Sequence, residues 1–279
     1  MDKPKVSIIV PTYNSGATLE QCLRSIHHQN YYPIEIILVD NLSIDTTTAI
    51  AARYKTKIIR RKSTPASARN MGIANSTGKY IFLVDSDQVL SPSVIEECVE
   101  KCEKEGAGMV KVPEVFVGKD FWGSCSAEWK NIYGRVEQKY GATRNILAGD
   151  PRFFTKEAIV RAGMFNDGLV WGEDYDLYKR ARRMNVRETW VKSELCHYEP
   201  TSIRKILFKS FRYGNTMPAF ARRTKQRTLW PMVNHSLLAL RELLGEQGKH
   251  PTIIVGCAVL FCSKTLVMAI GLMIGSLAH

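Results

Sequence analysis

The chain reads as an α/β protein with a mostly parallel sheet flanked by helices, followed by basic amphipathic helices and an apolar one. Three observations lead there. Short apolar runs alternate with helix-period segments over the first hundred residues, residues 201–230 gather cations, and residues 252–278 are apolar with a single charge. Alternating strands and helices build a parallel sheet, because each crossover returns the chain to the same edge. Ligands in such sheets bind beyond the carboxyl ends of the strands.

Element by element, Val6 to Val10 is a buried strand, and Leu19, Leu23 and Ile26 mark one face of a helix. Ile34 to Val39 is a second strand ending in Asp40; a helix follows, with Ser43 as N-cap and Asp45 in its first turn. Lys57 to Arg60 is a third strand, Pro65 to Ala74 a third helix, and Tyr80 to Val84 a strand buried on both faces. Ser91-Pro92 supplies a cap and first helical position for the next helix, with Ile95, Val99 and Cys102 along its apolar stripe.

Three polar sets fall at the carboxyl ends of these strands: "PTYN" (Pro11, Thr12, Tyr13, Asn14), Asp40, and the pair Asp85/Asp87 around Ser86 in "YIFLVDSDQVL". Side chains two apart on a strand share a face, so the two carboxylates would lie together. Such a pair repels unless a cation joins it, and Mg2+ or Mn2+ prefers oxygen ligands. A turn aspartate and a helix-start aspartate would give the same letters. The second Asp-x-Asp, Asp174-Tyr175-Asp176, opens a helical stretch, where residues two apart diverge. No G-x-G-x-x-G or P-loop follows the first strand, so a phosphate is expected to meet a metal and basic side chains.

The seven cysteines show no zinc spacing and read as buried thiols of a reducing compartment, and "MDKPKVSIIV" shows no signal-peptide pattern. The net charge is +12, and residues 201–230 hold eight Lys and Arg with no Asp or Glu. The apolar residues among them suggest an amphipathic helix at a lipid surface. Residues 252–278 are long enough to span a bilayer, and the preceding cations put the bulk of the chain on the cytoplasmic side. Lys264 near the middle costs roughly 2.5–3.5 kcal/mol on insertion scales, which leaves a partly embedded hairpin or a protein-packed helix as alternatives. Residues 230–244 are either interfacial or a second span. Gly271 and Gly275 form a G-x-x-x-G that suits helix packing, including a homo-oligomer.

Five motifs in order, "VSIIVPTYN", "IILVDNLSIDTT", "ASARNMGI", "FLVDSD" and "WGEDYDL", resemble the family 2 glycosyltransferases, inverting enzymes of GT-A fold. The resemblance covers residues 5–200, and the segments beyond it are similar to membrane-bound members, in the manner of a minimal cellulose-synthase-like or polyprenyl-linked-glycan enzyme. It implies a catalytic domain over 1–200, interfacial helices over 201–250 and a transmembrane segment over 251–279.

It also implies roles. Pro11, Thr12, Tyr13, Asn14 and Asp40 would hold base and ribose, Arg69 the base or diphosphate, Asp85 and Ser86 the nucleotide sugar, and Asp87 with Asp85 the divalent metal. Asp174, beside Glu173, would be the general base. His197 would be a third metal or diphosphate ligand or a structural histidine, and Trp171, Arg212 and Tyr213 acceptor or diphosphate contacts. Apart from the resemblance, residues 121–145, rich in aromatic and basic residues and lying between the metal motif and the expected base, are the candidate acceptor region, with Trp122, Trp129 and Tyr133 either sugar contacts or core residues. Where family members often read "VDDGSTD", this chain reads "VDNLSID", and Asn41 cannot supply a second charge.

The expected partners are a nucleotide-sugar donor, a lipid-linked acceptor and membrane lipid, with no nucleic acid. GDP-mannose leads as donor and UDP-glucose follows; a polyprenyl-phosphate acceptor is the variant reading. A nucleotidyltransferase would need a Gly-rich loop that "VPTYNSG" lacks, and a nucleic-acid-binding protein would account for the basic block alone.

Overall fold

A computed structural model describes residues 3–140, 151–199, 202–225, 229–245 and 251–277. Residues 141–145 of the expected acceptor region, and Arg227 of the basic block, lie outside the described residues. The chain divides into two compact units. The first comprises Met1–Pro113, Asp150–Gly168 and Glu173–Cys196, the second Glu114–Gly149, Leu169–Gly172 and His197–His279.

The first unit opens with β1 (Val6–Thr12), α1 (Leu19–His27), β2 (Ile34–Asp40), α2 (Thr47–Ala52), β3 (Lys57–Arg60), α3 (Pro65–Ala74), β4 (Tyr80–Leu83), β5 (Gln88–Leu90), α4 (Val94–Glu105) and β6 (Met109–Lys111). The chain then makes β7 (Glu114–Val117) and α5 (Phe121–Tyr140) of the second unit. It returns as β8 (Phe153–Thr155), α6 (Lys156–Arg161), α7 (Glu173–Arg183) and β9 (Glu188–Trp190). After β10 (Leu195–Tyr198), the helices α8 (Ile203–Thr224), α9 (Leu229–Gly245) and α10 (Pro251–Leu277) complete the second unit.

Among the described residues the first unit carries a seven-stranded sheet of order β3-β2-β1-β4-β8-β6-β9. The β1–β2, β2–β3, β1–β4 and β6–β9 pairs are parallel, whereas β8 runs antiparallel to β4 and β6. Strand alternation sends Val6, Ile8 and Val10 into the main core with Leu19, Leu23 and Ile26 of α1 and Ile95 and Cys98 of α4. On the opposite face, Ile37 and Val39 pack against Ala68 of α3. Gly72 lets α3 approach, because a Cβ there would fall on the Ile9 side chain.

Two expected helix starts move. Helix α4 begins at Val94, with Ser93 at its cap. Ser91 and Pro92 are held by backbone bonds, Ser91 N donating to Glu194 O and Pro92 O accepting from Asn30 N. Helix α2 begins at Thr47 because Ser43 turns its hydroxyl onto Asp40 instead of capping. Thr64 caps α3, accepting from Ser67 N at 3.2 Å with Pro65 in the first turn.

In the second unit, Cys125, Trp129, Ile132 and Val136 of α5 share one core with Ile206 of α8, Ala239 and Leu243 of α9, and Cys257 and Leu260 of α10. The G-x-x-x-G face is occupied within the chain. A Cβ on Gly271 or Gly275 would strike the α8 backbone at Phe211 and Asn215, so these glycines serve α8–α10 packing and leave that face no room for a second copy. Gly214 is the counterpart on α8, against Met268 O. Gly214→Leu is expected to force the helices apart at a cost of about 1–3 kcal/mol, read as a lowered unfolding midpoint in detergent. Gly134→Ala, inside α5 where a Cβ meets nothing within 4 Å, should not lower it and should raise it slightly, since alanine is favoured over glycine in a helix by about 0.5–1 kcal/mol. Among the described residues, α10 is the one helix long and apolar enough to cross a membrane, and Val255, Leu266, Met273 and Leu277 are exposed on it.

Candidate active site

The first unit concentrates its polar groups where β1, β2 and β4 end. Thr12 Oγ1 at the end of β1 donates to Asp40 Oδ1 at 3.1 Å, and Ser43 N donates to Asp40 Oδ2 at 2.9 Å. Arg60 adds its Nε at 3.4 Å from Oδ2. Asp40 is fully buried, so its carboxylate organises the two loops instead of facing outward.

Asn14 completes the clamp. Its N donates to Ser43 Oγ at 2.8 Å, its Oδ1 accepts from Ile44 N at 3.0 Å, and it adopts a positive φ of 48°, a conformation asparagine tolerates. Pro11 leads into this turn within β1, and Tyr13, 63% exposed, is the large aromatic surface that the paired loops present. Asn41 Oδ1 accepts from Ser63 N at 2.8 Å, a structural use of the position where family members carry a second charge.

Asp85 and Asp87 are not strand neighbours. β4 ends at Leu83, and residues 85–88 form a turn closed by Gln88 N donating to Asp85 O at 3.0 Å. Gln88 Oε1 accepts from Asp85 N at 2.9 Å, and Ser86 Oγ meets Ser15 Oγ at 2.8 Å. The expectation that strand alternation sets the two carboxylates side by side is thus replaced by a turn.

The charge of Asp85 is met by two arginines. Arg69 Nη2 lies 3.0 Å from Oδ1 and Arg152 Nη1 3.0 Å from Oδ2. The same Arg69 donates Nη1 to Glu173 Oε1 at 3.1 Å and to Asp174 Oδ1 at 3.3 Å, while its guanidinium lies over the Phe165 ring. One buried guanidinium on α3 therefore ties the end of β4 to the start of α7. Burial alone would lower its pKa; Asp174, Asp85 and Glu173 together overcome that and raise it. Asn70, next along α3, accepts from Phe165 N at 2.9 Å and donates to Asp167 Oδ1 at 2.6 Å, fixing the loop that approaches α7.

Burial, and then the neighbouring charge of Asp174, raise the pKa of Glu173 to about 7, against the opposing pull of Arg69. The folded chain thus binds this proton more tightly than the unfolded chain. Stability from this group is full below the ordinary glutamate value and is lost as pH rises through about 7. Glu173→Gln is therefore expected to gain in unfolding midpoint over the parent chain from about pH 5 to about pH 8, and a difference constant across that range would contradict the shift. In the second Asp-x-Asp the two carboxylates diverge, Asp174 to Arg69 and Asp176 to Arg180 Nε at 2.8 Å.

The remaining expected residues belong to the second unit. His197 Nδ1 lies 2.8 Å from Glu114 Oε2, and the ring stacks on Phe116 with centroids 4.9 Å apart. Trp171 meets the Phe220 ring edge-on at 5.1 Å, and Gly172, at φ +74°, admits that ring where a Cβ would clash. On α8, Arg212 is exposed and Tyr213 half-buried, with Lys209 Nζ 5.8 Å from its ring centroid. In the acceptor region Trp129 is a core residue, and Trp122 and Tyr133 pack against the same cluster.

A divalent cation finds few protein ligands. Among the described residues no group of three or more His, Cys, Asp or Glu could hold a metal ion. Both oxygens of Asp85 already face guanidinium groups, so the expected metal role falls chiefly on Asp87. Mg2+ and Mn2+ commonly take one or two carboxylates and complete their shells with water and substrate phosphates. This donor set fits an ion that arrives with a diphosphate.

Sequence reasoning did not find Arg152, Arg60 or Asn70. Arg152 directly precedes β8, the strand that enters antiparallel beside β4 after a long excursion of the chain, and no local pattern joins it to Asp85.

The chain is 35% identical over 112 residues to the glycosyltransferase GlyG of Streptococcus pneumoniae, covering 38% of this chain and 37% of that protein. It is 35% identical over 229 residues to the uncharacterized glycosyltransferase EpsJ of Bacillus subtilis, covering 74% of this chain and 64% of that one. In both cases less than two thirds of the relative's length is matched. The structure of the mannosyltransferase PcManGT from Pyrobaculum calidifontis, in complex with GDP-Man and Mn2+, aligns with a TM-score of 0.62. It is 19% identical and covers 99% of this chain and 87% of that one, a likeness of GT-A fold. The family model for glycosyl transferase family 2 matches residues 7–161, more than half of the chain, and the chain belongs to that family.

Proposed function

We propose that this chain moves a sugar, mannose from GDP-mannose in the first place, from a nucleotide-sugar donor to a lipid-linked acceptor at a membrane, with inversion. One observation carries the reading: the Asp85–Arg69–Asp174/Glu173 bridge stands at the sheet edge where nucleotide ligands of such folds bind, beside a turn bearing Asp87.

In this reading Tyr13 faces the base, with Pro11, Thr12, Asn14 and Asp40 shaping its loops, and Asp85, Ser86 and Arg69 border the sugar and diphosphate. The acceptor hydroxyl attacks the anomeric carbon as the bond to the diphosphate breaks, and Asp174 accepts the hydroxyl proton. Glu173, sharing Arg69 with it, sets the local charge. Bound at Asp87, a divalent cation would supply positive charge against the growing charge of the leaving diphosphate. His197, Trp171, Arg212 and Tyr213 are the proposed contacts to the diphosphate or acceptor.

Helix α10 attaches the chain to the membrane, and the cations of α8 face the headgroups of the cytoplasmic side. The GDP-Man complex of the mannosyltransferase neighbour supports the donor assignment, and its Mn2+ the cation.

The test is hydrolysis and binding of several nucleotide sugars by the purified chain, with and without Mn2+. GDP-mannose should be bound and slowly hydrolysed with metal present. Preference for a UDP-sugar would replace the donor, and no binding of any donor would remove the transferase reading.

A further inference from the structure

Between Asp45 and Asp85 the chain carries eight Lys and Arg and no Asp or Glu. Six of them, Arg53, Lys55, Lys57, Arg60, Arg61 and Lys62, fall within ten residues on and around β3, and all six are exposed. Among the described residues β3 is the edge of the seven-stranded sheet, paired with β2 alone. The cations therefore form a strip along an open sheet edge of the first unit.

The backbone is fixed at both ends of this strip. Before β3, Arg53 N donates to Ile50 O at 3.1 Å and Thr56 Oγ1 to Ala51 O at 2.9 Å. After it, Arg61 N donates to Asp40 O at 2.9 Å and Ser63 N to Asn41 Oδ1 at 2.8 Å.

A charged edge strand also guards a sheet against pairing with a second copy. That role covers the cations of β3 itself, which are engaged within the unit: Lys57 Nζ donates to Asn75 Oδ1 at 3.1 Å and Arg60 Nη2 to Ser43 O at 2.7 Å. Arg53 likewise pairs with Glu20 at 3.2 Å. It does not cover Lys55, Arg61 and Lys62, which lie beyond the two ends of the strand and make no side-chain hydrogen bond or ion pair with other described residues.

A strand rises about 3.3 Å per residue, so the ends of β3 stand on the order of 10 Å apart, too far for cations at both ends to grip one phosphate. The fitting partner is an extended array of negative charges. Two apolar residues narrow its class: Ile58 is 37% exposed, and Ile44, 91% exposed, follows Ser43, whose carbonyl holds Arg60. Single-stranded nucleic acid is held by aromatic rings that stack on bases, whereas the one aromatic residue of the strip, Tyr54, packs its ring against His27 with centroids 5.4 Å apart. Cations with exposed aliphatic side chains among them suit the headgroup layer of an anionic membrane.

We infer that the β3 edge of the first unit is a docking surface for anionic lipid headgroups, with Lys55, Arg61 and Lys62 as its contact cations. The surface binds bulk lipid and no reactant, and it rests on the membrane attachment proposed above only for the presence of that lipid.

The experiment places the full chain in nanodiscs of phosphatidylcholine, alone or mixed with phosphatidylglycerol, and follows hydrogen exchange of peptides covering residues 53–62. Their amides should exchange at least about fivefold more slowly with the anionic lipid, the factor expected from a single cation near such a surface. High salt should remove the difference. The triple variant Lys55→Gln, Arg61→Gln, Lys62→Gln should lose it while keeping the parent's unfolding midpoint, since all three side chains are exposed. Lys62→Gln alone, with a partial loss, serves if the triple variant does not fold.

Equal exchange in the two lipids overturns the inference, as does a difference that survives high salt or a triple variant protected like the parent. An oligonucleotide that protects the same amides as strongly as the anionic lipid overturns it too. Nucleotide-sugar binding and retention by the neutral nanodiscs, measured on the same samples, keep the readings apart. Loss of either with the anionic difference intact removes the transferase or the anchor and leaves the β3 surface standing.

Discussion

Replacing Arg69 with methionine is expected to abolish sugar transfer and to destabilise the chain by about 3–5 kcal/mol, the range for removing one partner of a buried ion pair. The size follows from its connections. This one guanidinium contacts Asp85, Glu173 and Asp174 while buried; without it Glu173 and Asp174 lose that cation, while Arg152 still reaches Asp85. The loss should depend on pH. Carboxylates deprived of their cation hold protons more tightly, so the deficit should be larger at about pH 8 than at about pH 5, where part of the repulsion is relieved by protonation. Denaturant midpoints at the two pH values provide the check, and a deficit below about 1 kcal/mol at the higher pH would remove Arg69 from its central place. Arg69→Lys should recover only part of the loss, because an ammonium cannot present a planar fork to carboxylates on two elements.

Asp174→Asn should lower transfer by about 10²–10⁴-fold, the usual contribution of a positioned general base, while donor affinity stays within about threefold. The substitution isolates the charge. Asparagine keeps an oxygen where Asp174 Oδ1 accepts from Arg69 Nη1 at 3.3 Å, so the turn into α7 should hold its shape. Donor binding by calorimetry and transfer under single-turnover conditions separate the two effects. If weakened donor binding is the main defect, the base lies elsewhere, and Glu173 is then the first alternative. Its raised pKa would appear as a rise of activity with pH through about 7.

Much of the fold was legible in the letters. The runs at β1, β2 and β4 are buried apolar segments bounded by turn residues, β3 is a short, largely exposed edge strand, and a period of two or 3.6 is a local property that needs no partner to be read. The helix starts at Ser43 and Ser91 misled because the competing hydrogen bonds come from elsewhere in the chain: Asp40 captures the Ser43 hydroxyl, and Glu194 and Asn30 hold the Ser91-Pro92 backbone. The same limit hid the antiparallel insertion of β8, a strand of three residues. The glycine pair of α10 announced a close helix contact but not whose, and that partner is α8 of the same chain.

For the candidate site, the sequence by itself determined which residue types gather at the carboxyl edge of the sheet, since strand order and polarity place "PTYN", Asp40 and the Asp85/Asp87 turn there. What only the tertiary structure decided is how their charges are balanced. Arg69 and Arg152 reach Asp85 from α3 and from the approach to β8, 16 and 67 residues away along the chain. A Coulomb interaction depends on distance in space and on exclusion of water, and neither is written in the spacing of residues along a strand.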